Sequence, residues 1–273
     1  MGVQSFLKAS KGDPDWAFTP ERYFEKKFKI IEASTLELAA EKSESIVLRQ
    51  SPTERELLAK QIKIDVLDGA NLNLVLINEA NTSLQQVFIY DINIHSGGQF
   101  NFGLFVKGGR LNKHILNVTL DNYASFSTYG HVFNNNGGDS EVIIKTQHMG
   151  AFSNSNIYYT TESGEDSQTV LQAVTTIQEV GQYSQANIEI NNLITGINGK
   201  CHSVPEIFNN SDSARINCGT CTDYLDQERV YYLRTRGLSK IKAEKFLVNN
   251  HRNKTFSTIF NDEIKDEILN SFD

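Results

Sequence analysis

The chain has 273 residues, of which 39% are hydrophobic and 22% charged, and its formal net charge is −7. This length is enough to bury a full core, in one large domain or in two small ones. The acidic balance argues against a nucleic-acid-binding protein, and the lack of an apolar run of about 18 residues argues against a membrane span. Three cysteines are an odd number, and the first residues contain no apolar signal-peptide core. We therefore expect a cytoplasmic protein with free thiols.

Residues 1–60 are predicted to form a short N-terminal region of mixed or helical structure. Thr19 and Ser51 are each followed by a proline and then a glutamate, a pattern typical of helix starts, so short helices are predicted over 19–28 and 51–61. Between them the segment ESIVLRQ, residues 44–50, predicts a strand.

Residues 61–221 are predicted to form the β core. From about residue 62 to residue 217, apolar and polar residues alternate with the period of two that is typical of strands. A turn motif with a small residue recurs at Ala70, Gly98, Ala124, Ser140, Ala186 and Ala214, with Ser167 as a weaker copy. This recurrence favours the stacked turns of a parallel β-helix. A sandwich or jelly roll also has short strands with regular turns, so that alternative stays open.

Residues 222–273 are predicted to be helical, because the apolar period changes to 3.6. Thr222 and Asp223 are candidate N-caps of a first helix, and Gly237 is its natural C-terminal stop. The first helix is therefore expected to begin directly after the second cysteine of the Cys-Gly-Thr-Cys segment.

Two more helices are predicted downstream. Ser239 is the candidate N-cap of a helix over 240–251, whose apolar residues include Ile241 and Phe246. A third helix is predicted over 261–272, with apolar residues on one stripe at Ile264, Ile268 and Leu269.

The cysteines are the strongest candidate site. Cys218 and Cys221 have a spacing that can ligate a metal or cycle as a dithiol. Residues three apart in a strand face opposite sides, so the two thiols share an ion only if the chain turns at Gly219. Cys201 and His202 lie upstream and can reach a neighbouring strand, and thiolates with an imidazole suit iron, zinc or an iron–sulfur cluster. The alternative is that the cysteines are small packing residues.

Other chemistry has less support in the sequence. No phosphate-binding loop, dinucleotide fingerprint, zinc-protease motif or hydrolase nucleophile elbow occurs. A carbohydrate-binding or carbohydrate-active β-helix is an alternative of another class, which would place paired carboxylates across successive turns. Glu162, Glu165 and Asp166 instead cluster within one turn of the chain.

The segment Ser203–Val248 resembles the C-terminal signature of the SufB/SufD family of iron–sulfur cluster assembly proteins. The resemblance rests on Pro205-Glu206-Ile207, Ser213-Ala214-Arg215, Leu225-Asp226, Tyr232-Leu233-Arg234-Thr235-Arg236-Gly237-Leu238, and Ala243 with Leu247. The helix that ends in Arg-Thr-Arg-Gly is most similar to the SufD form.

The resemblance implies a right-handed parallel β-helix with a C-terminal helical segment. It implies a SufD-like scaffold subunit, not an enzyme by itself, that pairs through its β-helix with a SufB-like protein or with a second copy. In the family the C-terminal helices hold the ABC-type ATPase SufC. The residues implied to bind that ATPase are Tyr232, Leu233, Arg234, Arg236, Gly237 and Leu238.

The resemblance also implies a role for Cys218. SufD members place a functional histidine in a Ser-His-Gly-Ala context, and Cys218 holds that position here. Cys218 is thus implied to be a metal ligand at a subunit interface, where iron or a nascent cluster is held transiently and not stably. Cys201, next to His202, lies close to the position of the sulfur-accepting cysteine of SufB. A self-paired, SufBD-like dimer that accepts sulfur and cluster is therefore the alternative.

Overall fold

The strands of the described chain lie in two parallel sheets of seven strands each. The computed structural model describes residues 30–40, 44–50, 57–80 and 83–256, with Lys265, Ile268 and Phe272. The strands are β1 Ile30–Ala40, β2 Glu44–Gln50, β3 Leu57–Val66, β4 Asn71–Ala80, β5 Gln85–Ile94, β6 Gln99–Gly108, β7 Leu111–Leu120, β8 Ser125–Asn134, β9 Asp139–His148, β10 Asn154–Ser163, β11 Gln168–Ile177, β12 Gln185–Ile194, β13 Lys200–Asn209 and β14 Arg215–Tyr224. Two helices follow, α1 Gln227–Thr235 and α2 Lys240–Phe256.

Successive strands alternate between the sheets, so odd-numbered strands form sheet A and even-numbered strands form sheet B. All pairings among the described strands are parallel. Each turn of the chain thus adds one strand to each sheet, and the result is a parallel β-solenoid. The predicted parallel β-helix with C-terminal helices is confirmed, and the antiparallel sandwich alternative is wrong.

The N-terminal strands correct one prediction. The chain is already a strand from Leu57, where a helix over 51–61 was predicted. Ile62 and Ile64 enter the core, and the strand pairs with β5 along its length, so tertiary pairing outweighs the local helix-start signal. The strand predicted over 44–50 is confirmed as β2. The helix predicted over 19–28 lies outside the described residues.

The turns that precede β4, β6, β8, β10, β12 and β14 form one edge of the solenoid, which we call the first corner. Each turn ends in a small residue, and these are Ala70, Gly98, Ala124, Ser153, Ser184 and Ala214. A Cβ on Gly98 would already lie 3.0 Å from the carbonyl oxygen of His95, which explains the small residue. The predicted members Ser140 and Ala186 lie inside strands, and Ser167 lies in the opposite edge.

The space between the sheets is filled by apolar side chains with a few paired polar groups. Phe88, Phe100 and Phe126 are completely buried and belong to the main cluster. His114 stacks on Phe88, with Nδ1 3.0 Å from the Tyr90 hydroxyl and Nε2 2.9 Å from Asn112 Oδ1. Burial lowers the pKa of His114 to about 3, so the imidazole is neutral and both nitrogens are satisfied.

The C-terminal helices begin later than predicted. Thr222 and Asp223 are not helix caps, because they still pair with β12 as part of β14. Asp226 is the N-cap of α1, and its Oδ1 accepts hydrogen bonds from the backbone N–H groups of Glu228 and Arg229 at 2.8 and 3.3 Å. The stacked strands therefore run from Ile30 to Tyr224, beyond both bounds of the predicted core over 61–221.

The ends of the helices agree with the other predicted caps. Gly237 follows α1 with a φ of +98°, and the Ser239 hydroxyl accepts from the N–H of Lys242 at the start of α2. In the predicted third helix, Ile268 is helical and buried, whereas Ile264 and Leu269 lie outside the described residues.

Candidate functional site

The last turn of the solenoid, formed by β13 and β14, is open, and we call it the open end. All ten residues of β14 are exposed, on both faces of the strand. One edge of β14 pairs with β12, and no other described strand pairs with its second edge, which is the edge of sheet B. Ile216 and Phe208 are apolar and about half exposed there, at 50% and 55%. A long, uncovered edge strand of this kind is a template for pairing with another chain.

Cys218 and Cys221 point to opposite faces of β14, as the strand period predicted. Cys218 pairs in register with Ile188, which lies in the core, so its side chain continues the interior column at the open end. Cys221 pairs with Asn191 on the outer face, and its thiol donates a 2.9 Å hydrogen bond to Asn191 Oδ1. The two thiols therefore do not face a common ion, and Cys221 lies in the strand and not at a helix start.

Cys201 lies near the start of β13, and its side chain points into the solenoid towards β10. Its thiol donates to Ser163 Oγ at 3.2 Å and accepts from Thr161 Oγ1 at 3.6 Å. Burial raises the pKa of the Cys201 thiol, although the hydrogen bonds with Ser163 and Thr161 oppose the shift. A raised pKa favours the thiol over the nucleophilic thiolate.

The alternative that Cys201, His202, Cys218 and Cys221 come together around one ion is not met by the geometry. Cys201 contacts the carbonyl oxygen of Leu193. Leu193 lies five positions beyond Ile188, the residue that pairs with Cys218, so the two thiols are roughly 16 Å apart along the strands. His202 pairs with Val170 and is exposed on the outer face of sheet A. Among the described residues, no group of three or more His, Cys, Asp or Glu side chains is arranged to hold a metal ion.

The two helices after the open end expose an apolar and basic surface, which we call the helix surface. Of the predicted partner-binding residues, Tyr232, Arg234 and Arg236 are exposed, and Leu233 and Leu238 are half-buried. The Arg236 guanidinium lies 5.3 Å from the centre of the Tyr232 ring. The large apolar side chains exposed on the two helices are Tyr231, Tyr232, Ile241 and Phe246. This surface can bury aromatic and aliphatic side chains of a partner between its own arginine side chains.

A buried ion pair fixes α2 to the outer face of sheet B. Arg252 donates from Nε and Nη2 to Glu162 Oε2 at 2.9 and 2.7 Å, and from Nη1 to the carbonyl oxygen of Phe272 at 3.0 Å. Both partners are at most 5% exposed. Phe256 stacks on Phe105 beside them, with ring centres 5.4 Å apart. We call this arrangement the helix anchor.

The electrostatics of the anchor depend on two neighbouring groups. Burial would raise the pKa of Glu162, but His131 and the charge of Arg252 outweigh it and hold that pKa below its ordinary value. Burial lowers the pKa of His131 to about 4, so His131 is neutral at pH 7. Its Nδ1 is 2.8 Å from Thr160 Oγ1, which in turn is 2.8 Å from Thr255 Oγ1 of α2. The anchor therefore holds one positive and one negative charge, which compensate each other.

A cleft of about 190 Å³ separates the end of β14 from α2. Its lining includes Asp223, Tyr224, Arg229 and His251. His251 Nε2 lies 3.2 Å from the backbone carbonyl oxygen of Thr161, so α2 contacts the same strand that carries the hydrogen-bond partners of Cys201. The helix surface and the open end are thus linked through β10.

These features define a parallel β-solenoid that carries a helical appendage at an open, unpaired end. The family model described as SUF system FeS cluster assembly, SufBD core domain, matches residues 25–251. The chain therefore belongs to the SufBD core-domain family, and its role lies in iron–sulfur cluster assembly. A comparison with individual curated proteins found no match. None of the described helices is long and apolar enough to cross a membrane.

The helix anchor predicts a large effect of a single substitution. Arg252→Met leaves the Glu162 carboxylate buried without its cation, so the free energy of unfolding should fall by about 3–5 kcal/mol. Adding Glu162→Gln removes the uncompensated charge and should return about half of that loss. Urea denaturation followed by circular dichroism measures both values.

The matched control is Arg229→Met, because the Arg229 side chain is 72% exposed in its pair with Asp226. That substitution should cost less than about 1 kcal/mol. An equal, small loss for Arg252→Met and Arg229→Met would show that the buried pair does not hold the helices.

Proposed function

We propose that the chain is a SufD-like scaffold subunit of a cytoplasmic iron–sulfur cluster assembly complex and is not itself an enzyme. The observation that carries the proposal is that two exposed surfaces lie at the same end of the solenoid, namely the terminal strand β14 and the apolar helix surface. The terminal strand suits a second β-helix, and the helix surface suits a globular partner. None of the three cysteines forms a disulfide, which is in keeping with a reducing compartment.

The β-helix partner is proposed to add its own terminal strands to the open end. The free edge of β14 offers unpaired backbone groups, and Ile216 and Phe208 offer apolar area beside it. The family resemblance makes a SufB-like protein the proposed partner. A second copy of this chain is the alternative.

The self-paired alternative requires the chain to accept sulfur itself, and Cys201 is its candidate acceptor. The raised pKa of the Cys201 thiol disfavours the thiolate that such a step uses. His202 faces outward on sheet A and is in no position to act as a base for a thiol in the interior. These two observations favour the SufD-like role.

The helix surface is proposed to bind an ABC-type ATPase of the SufC kind. Tyr232, Leu233, Arg234, Arg236, Gly237 and Leu238 are the residues proposed to form this contact. Ile241 and Phe246 of α2 extend it, because both are more than half exposed, at 69% and 57%. Their burial at an interface would supply affinity, while the arginines would supply orientation.

Charge reversal tests the helix surface. The double variant Arg234→Glu/Arg236→Glu should weaken binding of a SufC-type ATPase by about 1–3 kcal/mol, roughly 5- to 150-fold in Kd, because two cations become anions at the contact. Calorimetry with the purified ATPase measures this. The control Lys63→Glu/Arg110→Glu places the same charge change on exposed residues of the solenoid body and should leave the Kd unchanged. Equal affinity of the Arg234/Arg236 variant and wild type would remove the helix surface as the binding site.

Cys218 is proposed to ligate iron or a nascent cluster transiently at the paired open end. Cys218→Ser replaces a soft thiolate by a poor hydroxyl ligand of nearly the same volume. Iron and sulfide retained by the anaerobically reconstituted complex should therefore drop, while Cys221→Ser, on the outer face, should change little. If Cys218→Ser retains as much iron as wild type, Cys218 is a packing residue.

A further inference from the structure

Three exposed aromatic rings stack along the first corner. The ring centres of Tyr123 and Phe152 are 5.1 Å apart with an interplanar angle of 1°, and those of Phe152 and Tyr183 are 5.1 Å apart at 17°. The three side chains are 64%, 48% and 61% exposed, respectively. We call these three residues the aromatic ladder.

The backbone conformation at these three positions does not favour aromatic residues. Tyr123, Phe152 and Tyr183 have φ values of 59°, 57° and 59°, in the left-handed region that bulky residues rarely adopt. The equivalent positions in the two preceding turns are Gly69 and Gly97, with φ values of 68° and 70°. Turn geometry alone favours Gly or Asn at such positions, so the rings have a cost that the turn does not explain.

The two glycines leave space next to the ladder. A Cβ on Gly97 would meet only the backbone of Gly69, at 3.9 Å, and a Cβ on Gly69 would meet nothing within 4 Å. The Tyr123 ring is covered by Phe152 on one side, and the shelf formed by Gly69 and Gly97 lies beyond its other side. A flat group can continue the stack over this shelf.

The acidic character of the first corner favours a planar group that carries a positive charge. Its turns comprise residues 67–70, 95–98, 121–124, 149–153, 178–184 and 210–214, and they contain no lysine or arginine. They contain four carboxylates, those of Asp68, Asp121, Glu179 and Asp212. Asp68 adjoins the shelf, and Asp121 adjoins Tyr123. Asp121 Oδ2 lies 3.4 Å from His95 Nδ1, and its side chain is 45% exposed, so the carboxylate can also be reached from solvent. A guanidinium group is both planar and cationic, and it stacks on aromatic faces.

We infer that the aromatic ladder and the glycine shelf bind an arginine side chain on an extended, basic segment of a partner protein. This surface is separate from the helix surface, because the ladder precedes the sheet B strands and the helix anchor lies near their far ends. Asn154 and Glu162 mark these two positions on β10, roughly 26 Å apart along the strand. The shelf lies in the turns before β4 and β6, four and five strands away from β14 in sheet B, so the interaction is additional to ATPase binding and to pairing at the open end.

The test uses the full chain and a fluorescein-labelled peptide in which arginine alternates with glycine. Tyr123→Asn/Phe152→Asn/Tyr183→Asn removes the rings but keeps a residue that the chain already uses at positive φ, at Asn136 and Asn198. Fluorescence anisotropy should show at least a roughly tenfold weaker Kd for this variant. Its melting temperature should stay within about 3 °C of wild type.

Two further comparisons separate stacking from charge. Asp68→Asn/Asp121→Asn keeps the rings and should also weaken the arginine peptide, whereas Asn136→Gly/Asp166→Gly at the opposite corner should not. A lysine peptide should bind more weakly because it cannot stack, and a citrulline peptide because it has no charge.

Unchanged affinity in both the ring variant and the carboxylate variant overturns the inference. Ring-dependent binding of an uncharged oligosaccharide in place of the arginine peptide also overturns it, and would assign the ladder to carbohydrate. If the ring variant melts far below wild type while the carboxylate variant binds the peptide normally, the ladder is a structural stack only.

Discussion

The parallel hydrogen bonding of each turn to the next is the interaction on which the rest of this structure depends. Asn154 of β10 pairs with Ser125 on one side and Gln185 on the other, and this registry repeats along both sheets. A solenoid built in this way is stabilised by nearest neighbours, so interior turns have two partners and the last turn has one. The exposure of every residue of β14 follows directly from that constraint. The hydrogen bonding between turns that stabilises the solenoid thus leaves the edge of β14 available for pairing with another chain.

The described helices α1 and α2 leave the residues of β14 exposed. The buried ion pair of Arg252 and Glu162, with Phe256 on Phe105, holds α2 on the outer face of sheet B. The helices consequently lie beside the open end, and their exposed aromatic and aliphatic side chains face away from the core. This placement would bring the proposed β-helix partner and the proposed ATPase close together, and the contact of His251 with Thr161 links the two surfaces through β10.

Much of the fold could be predicted from local patterns. The alternation between about residue 62 and residue 217 predicts strands because one face of each strand lies in the core, and small residues at Ala70, Gly98 and Ala124 mark the tight first corner. The opposite orientation of Cys218 and Cys221 follows from the strand period alone. The helix predicted over 51–61 fails because capping signals near Ser51 act locally, whereas β3 is fixed by its pairing with β5. The sequence left a thiol cluster open as an alternative because spacing in sequence does not give the position of Cys201 along its strand.

The helix anchor and the aromatic ladder could not be predicted in this way. Arg252 and Glu162 are 90 residues apart, and no local pattern relates them. Tyr123, Phe152 and Tyr183 occupy equivalent places in turns of different length, so their stacking appears only when the register is known.

Amide hydrogen exchange along β14 tests the central claim most directly, namely that the open end is where this scaffold pairs. In the isolated chain, the amides on the free edge of β14 should exchange quickly, because they lack a neighbouring strand. In the complex with a SufB-like partner they should become at least roughly tenfold slower, while the amides of β6, which is paired on both sides, should not change. Fast exchange along β14 in a fully formed complex would contradict the account.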